Sequence, residues 1–294
     1  MKIYPIAFIF LVVFVGLVSC SPEKPSQALA EKQLIYTVNY PLAYFTERMA
    51  IEGVEVVFPE MEGDPAFWKP SAEQVAEFQK AHLILLNGAS YAKWVEKVSL
   101  PQAKLVDTSA GFADQYIHEK NASAHTHGPE GAHTHGSVAF TTWLDPLLAL
   151  KQVEAIKQAL ADRGLLDENG FEDLKKDLQD LHTEMQQAFA KVGDAPLLAS
   201  HPVYQYVARR YDLNLQSVHW EPDVMPDDAM WREFDELLKK HPAKIMLWEA
   251  EPLAACKSRL EEKGVKVVVL DPCGNRPQKG DYFSVMKAGL GKIR

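Results

Sequence analysis

Short apolar runs alternating with amphipathic helical stretches constrain this chain more than any other feature of its sequence. Candidate strands fall at 34–39, 54–58, 82–87 and 104–107 and resume, after a gap, at 195–200, 216–220, 244–248 and 266–270. Helical patterns lie between them near 41–51, 71–80, 89–98, 201–211, 227–241 and 252–263. Near-continuous apolar strands separated by helices read as parallel sheets covered on both faces. The expected fold is α/β with two lobes, each a mostly parallel four-stranded sheet flanked by helices. An eight-stranded barrel is the alternative, and the long strand-free interruption in the middle of the chain speaks against it.

That interruption has its own pattern. Residues 146–163 are periodic and helical, and 164–170 read as a break. Residues 171–192 then carry Leu174, Leu178, Leu181, Met185 and Phe189 at spacings of three and four, the apolar stripe of an amphipathic helix. At 1.5 Å per residue it would run about 33 Å. Such a helix either joins the lobes as a stiff spine or packs wholly on one of them. The expected division is an N-terminal lobe at 34–166, one long linking helix at 167–192 and a C-terminal lobe at 193–294.

The N-terminus addresses the chain to the outside of the cell. Lys2 precedes an apolar run over residues 6–18 that ends in Leu17-Val18-Ser19-Cys20. The run has the length of a secretory leader and is too short to span a bilayer comfortably. Its last four residues look like a bacterial lipobox. Residues 1–19 are therefore expected to be a cleaved signal peptide, with Cys20 lipidated and 20–33 forming a tether. The protein would be held at a membrane by lipid, in the periplasm or at the cell surface. The formal charge of −9 becomes one unit more negative once Lys2 is removed, and an acidic body argues against a nucleic-acid partner.

Ligands of open α/β sheets sit just past the carboxyl ends of strands. Three chemistry-bearing residues there belong to the second lobe: His201, Glu249 and Asp271. Imidazole and carboxylate at neighbouring strand ends suit a divalent transition metal. His201 could instead cap or pack, Asp271 before Pro272 could be a turn former, and Glu249 could orient a neighbour rather than ligate. A second metal signal is the repeat Ala124-His125-Thr126-His127-Gly128 and Ala132-His133-Thr134-His135-Gly136. With His118 it makes a loop over 118–136 that could act as an accessory metal site, or be a solvated low-complexity segment. Cys256 and Cys273 could form a disulfide in an exported protein, remain two buried thiols, or leave Cys273 as a soft ligand. The sequence holds no nucleophile elbow, P-loop, dinucleotide glycine pattern or HExxH, and it reads as a binding protein rather than an enzyme.

Several stretches carry a resemblance. They are Asn39-Tyr40-Pro41-Leu42, the run from Ala81 to Gly88, Trp143-Leu144-Asp145-Pro146, Ser200-His201-Pro202-Val203-Tyr204, Arg210-Tyr211 and Leu270-Asp271-Pro272, with Asp281-Tyr282 and Met286 beyond. From about Leu34 onward the chain resembles the zinc and manganese substrate-binding lipoproteins of ATP-driven (ABC) importers. The resemblance implies two lobes joined by a helix and a metal between them, Zn²⁺ foremost, with Mn²⁺ or another divalent transition metal as alternatives. It also implies a permease and an ATPase as partners and a protein acting as a monomer.

Of the three histidines and one carboxylate usual in that family, His201 and Asp271 carry over. The two first-lobe positions hold Ala66, after Asp64-Pro65, and Thr141. Three expectations stay open. Loop histidines could complete the site. The cleft could take a non-canonical ligand such as a metal complex, lined by Trp68, Thr141, Tyr204 and Glu249. Or the loop alone could bind metal, as in a buffering, zinc-carrier or adhesion lipoprotein.

Overall fold

The computed structural model describes Met1 and residues 32–61, 63–118, 124–126, 132–134 and 138–293. The expected leader beyond Met1, Cys20 and the tether through residue 31 lie outside the described residues, as do His127 and His135. Among the described residues no helix is long and apolar enough to cross a membrane.

Two four-stranded sheets carry the fold. The first consists of β1 (Gln33–Thr37), β2 (Val54–Val57), β3 (Leu83–Leu86) and β4 (Leu105–Asp107) in the order β2-β1-β3-β4. Between the sheets in sequence lies a short antiparallel hairpin, β5 (Ala124–Thr126) with β6 (Ala132–Thr134), in which His125 pairs with His133. The second sheet is built from β7 (Leu197–Ala199), β8 (Leu215–Ser217), β9 (Ile245–Trp248) and β10 (Lys266–Val269) in the order β10-β9-β7-β8. Every pairing within the two large sheets is parallel. The apolar runs behave as a sheet buried on both faces requires: all four residues of β9 are buried, as are Leu83, Ile84 and Leu85 of β3. In each sheet the chain lays strands first to one side and then to the other, so a crevice opens at the carboxyl ends between β1 and β3 and between β7 and β9.

Helices cover the sheets: α1 (Tyr40–Met49), α2 (Ala72–Lys80), α3 (Pro146–Ala161), α4 (Glu168–Ala190), α5 (Gln205–Tyr211), α6 (Asp228–Lys240), α7 (Ala254–Glu262) and α8 (Tyr282–Ala288). The residue that ends a strand or break often starts the next helix. Asn39 caps α1, Asp145 caps α3 ahead of Pro146, and Asp167 caps α4, each accepting a backbone N–H with its side chain. The stripe expected over 171–192 is real, with Phe171, Leu174, Leu178, Leu181, Met185 and Phe189 all buried. α4 packs on α1 and α3 beside the first sheet and on α5 and α8 beside the second. Ion pairs fasten it to both groups, Arg48–Asp177 at 3.0 Å and Lys287–Glu184 at 2.7 Å.

Two local expectations are corrected. The helix expected over 89–98 is a short 3-10 turn, Lys93–Lys97, entered through positive φ at Gly88, Ala89 and Ser90. The disulfide is absent: Cys256 and Cys273 are both free and buried. Side chains alternate across a strand, and the second sheet separates the two thiols. Cys256 packs with Leu198, Met246, Trp248 and Val267 on one face, whereas Cys273 packs with Ala199, Leu247, Val268 and Leu270 on the other. Burial raises the Cys256 thiol to about 11 and pushes that of Cys273 up as well.

Candidate metal centre

The second sheet sets its chemistry in a row. Hydrogen bonds continue past the strand ends: Ser200 N–H to Leu247 O, Trp220 N–H to Ser200 O and Leu270 N–H to Trp248 O, at 2.8, 2.9 and 2.8 Å. The next residue on each strand therefore stands beside its neighbour. Across the sheet the order is Asp271 after β10, Glu249 after β9, His201 after β7 and Glu221 after β8.

His201 sits in the bend between β7 and α5, where the proline that follows it disfavours helical backbone, and α5 begins only at Gln205, four residues later than the sequence pattern suggests. Its ring is 3% exposed, with Nδ1 3.2 Å from Glu249 Oε1 and Nε2 3.2 Å from Glu221 Oε1. The His219 ring meets it edge-on at 6.1 Å. Burial works against a charged imidazole here, but hydrogen bonding and charge from Glu221 and Glu249 outweigh it and raise the His201 pKa to about 9. His201, Glu221 and Glu249 each offer a ligand atom within 4.8 Å of the others. Asp271 turns one oxygen to the Cys273 N–H at 2.7 Å. Burial pushes its carboxyl up, the bond from Cys273 pulls it back, and the charge on Glu249 adds to the rise.

These four residues form one wall of a cleft of about 950 Å³. Across it stand Phe67, Trp68, Tyr91, Phe140, Thr141 and Trp143. Of the residues anticipated from sequence, His201, Asp271, Glu249, Trp68 and Thr141 thus line the cleft. Tyr204 does not: it is 1% exposed and donates its hydroxyl to Leu270 O at 2.7 Å beneath the site. Ala66 is buried in the one-turn helix Pro65–Phe67, its N–H capped by Asp64. His118 is exposed and forms an isolated antiparallel bridge with Val138.

The description "ZnuA: Zinc-uptake complex component A periplasmic" matches residues 35–294. The chain belongs to that family. The zinc-binding lipoprotein AdcA of Streptococcus pneumoniae is 27% identical to this ZnuA-family chain over 95% of the chain, which spans only 58% of the length of AdcA. The manganese ABC transporter substrate-binding lipoprotein PsaA of Streptococcus pneumoniae is 22% identical, over 99% of this chain and 97% of PsaA. The crystal structure of the metal-dependent lipoprotein YcdH from Bacillus subtilis superposes with a TM-score of 0.73 at 22% identity, covering 89% of this chain and 98% of that one. The match to YcdH carries the fold: two parallel sheets flanked by helices.

Glu221 was not among the residues singled out from the sequence. The signal existed, because Glu221 directly follows the candidate strand 216–220, and the strand-end rule that selects His201, Glu249 and Asp271 selects it too.

Proposed function

We propose that this ZnuA-family chain is the extracytoplasmic substrate-binding component of an ABC importer, and that its cargo is a divalent transition metal, Zn²⁺ foremost. The observation that supports it most is His201, almost fully enclosed at the floor of the cleft with acidic side chains on both flanks. A buried imidazole among carboxylates is a ligand set for a borderline cation. His201 and Asp271 are the ligands this reading carries over from the family, and PsaA keeps manganese in view as the cargo. Anchoring through Cys20, the division into a signal peptide at 1–19, a tether at 20–33, lobes at 34–166 and 193–294 and a linking helix at 167–192, and transfer to a permease and its ATPase belong to the same proposal. So does accessory metal capture by His118, His125, His127, His133 and His135.

The test is metal content and calorimetry on purified, metal-stripped protein. One tight Zn²⁺ per chain, lost in His201→Ala, supports the reading. Tight binding that survives His201→Ala and disappears only with residues 118–136 would replace it with a metal-buffering protein that works through its histidine loop.

A second reading, a metal bound within a small organic complex, is favoured by the aromatic wall formed by Phe67, Trp68 and Phe140. Sites of about 300–1,000 Å³ suit organic ligands. Tighter binding of a chelated than of a free metal would move the assignment there.

A further inference from the structure

We infer that Glu221 is a direct ligand of the captured ion, with Glu249 holding the His201 ring in register. This inference rests on the metal-binding reading above and names the residues that realise it.

The wall formed by the first sheet is poor in donors where the resemblance expects imidazoles. Ala66 has no donor side chain, and the Thr141 hydroxyl is committed to Val203 O at 2.6 Å. Asp271 does not join His201 in a group of three metal-capable side chains among the described residues, so the carried-over pair does not by itself make a site.

The second sheet supplies what is missing. An imidazole gives one lone pair to an ion and keeps a proton on its other nitrogen. Two ligands on one tetrahedral ion, each bonded at about 2.0–2.1 Å, lie about 3.4 Å apart. His201 Nε2 and Glu221 Oε1 are already 3.2 Å apart. An ion can enter between them with a shift of a few tenths of an ångström. On the far side of the ring Nδ1 faces Glu249 Oε1, also at 3.2 Å. That is the arrangement in which a carboxylate accepts the second ring proton, sets the tautomer and aims the free lone pair at the metal.

The strand order makes this neighbourhood obligatory. β8 is the edge strand beside β7, so Glu221 adjoins His201 directly, whereas Asp271 lies on the far side of Glu249. The ligand atoms that lie together are those of His201, Glu221 and Glu249, with Asp271 outside the group, so an ion beside Nε2 takes one imidazole and one carboxylate and leaves its other positions to water. This set is harder than a three-histidine site and suits Zn²⁺ or Mn²⁺ better than a soft ion such as Cu⁺.

The experiment is titration of the purified full chain with Zn²⁺, Mn²⁺ and the spectroscopic probe Co²⁺, for wild type and for Glu221→Gln, Glu221→Asp and Glu249→Gln. Thermal melts of the metal-free proteins report whether each variant is folded. Removing a residue that only supports a ligand typically weakens affinity about 10–100-fold, and loss of a ligand is expected to exceed that. Both Glu221 variants should therefore weaken Zn²⁺ by more than about 100-fold and shift the Co²⁺ absorption bands, because an oxygen ligand is lost or withdrawn. Glu221→Asp keeps the charge, so its failure separates ligation from simple attraction. Glu249→Gln should weaken binding within the supporting range while leaving the Co²⁺ bands in place. Wild-type affinity and an unchanged Co²⁺ spectrum in both Glu221 variants would overturn the assignment and leave metal capture standing. Absence of any metal binding by the wild type would overturn both.

Discussion

Thr141 donates its hydroxyl to the backbone carbonyl of Val203 at 2.6 Å, joining the chain beside the first sheet to the turn that carries His201. At a position where the family resemblance expects a ligand, this chain has a tie across the cleft. Thr141 is 4% exposed, so the bond is shielded from water. Thr141→Val keeps the shape and removes the donor, and should cost about 1–2 kcal/mol, because the Val203 carbonyl loses its partner in a dry setting. Urea denaturation of the two proteins measures the difference, and equal midpoints would show that the tie contributes nothing.

A second link runs through Arg210, which grips the fully buried Asp145 with three contacts of 2.8–2.9 Å. Asp145 also caps α3, so the pair joins the start of one helix to the last turn of α5. Arg210→Met strands a buried carboxylate and should destabilise by about 3–5 kcal/mol. Adding Asp145→Asn should recover part of that loss, which a double-mutant cycle detects.

Asp281 gives a pH signature. Burial opposes its ionisation, but bonds from the Ser284 backbone and side chain and from the Tyr44 hydroxyl outweigh this and hold the carboxyl below its ordinary value. A depressed folded pKa contributes stability that is present above the unfolded pKa and fades as pH falls through the folded one. Asp281→Ala should cost about 1 kcal/mol at neutral pH through the lost helix cap. The gap to wild type should begin to narrow as pH falls below about 4, the ordinary aspartate value, and close only once pH has passed below the depressed folded value. Melting curves taken in steps from pH 7 downward follow the narrowing.

Metal should act as a folding ligand. With free Zn²⁺ at about 100 times its dissociation constant, mass action adds about 2.7 kcal/mol to stability. Chelation should lower the melting temperature of the wild type and leave that of His201→Ala unchanged. A wild-type melting curve indifferent to chelator would contradict metal capture.

Both body thiols should be reactive once the chain is unfolded. Alkylation in denaturant without reductant, read by mass spectrometry, should label both Cys256 and Cys273. Labelling of neither would restore the disulfide that the opposed sheet faces exclude.

What the sequence showed well was local. Strand and helix positions follow from hydrophobic period, which each segment carries within itself, and the caps at Asn39, Asp145 and Asp167 depend on residues two or three places away. Where a long-range partner decides the conformation, the pattern was a weaker guide. The helix expected over 89–98 shrank to a 3-10 turn, and α5 starts at Gln205, after the turn whose Val203 carbonyl accepts from Thr141.

The sequence by itself determined the α/β alternation, the long apolar-striped helix and the placement of His201, Glu249 and Asp271 at strand ends. Only the tertiary structure decided which carboxylates stand against the imidazole, that α4 touches both groups of helices, and that Cys256 and Cys273 face opposite ways. The reason is physical. Periodicity is a property of neighbours along the chain, but the order β10-β9-β7-β8 arises from crossovers that return each strand beside a distant one. That pairing, and not any spacing in the sequence, brings Glu221 within 3.2 Å of His201.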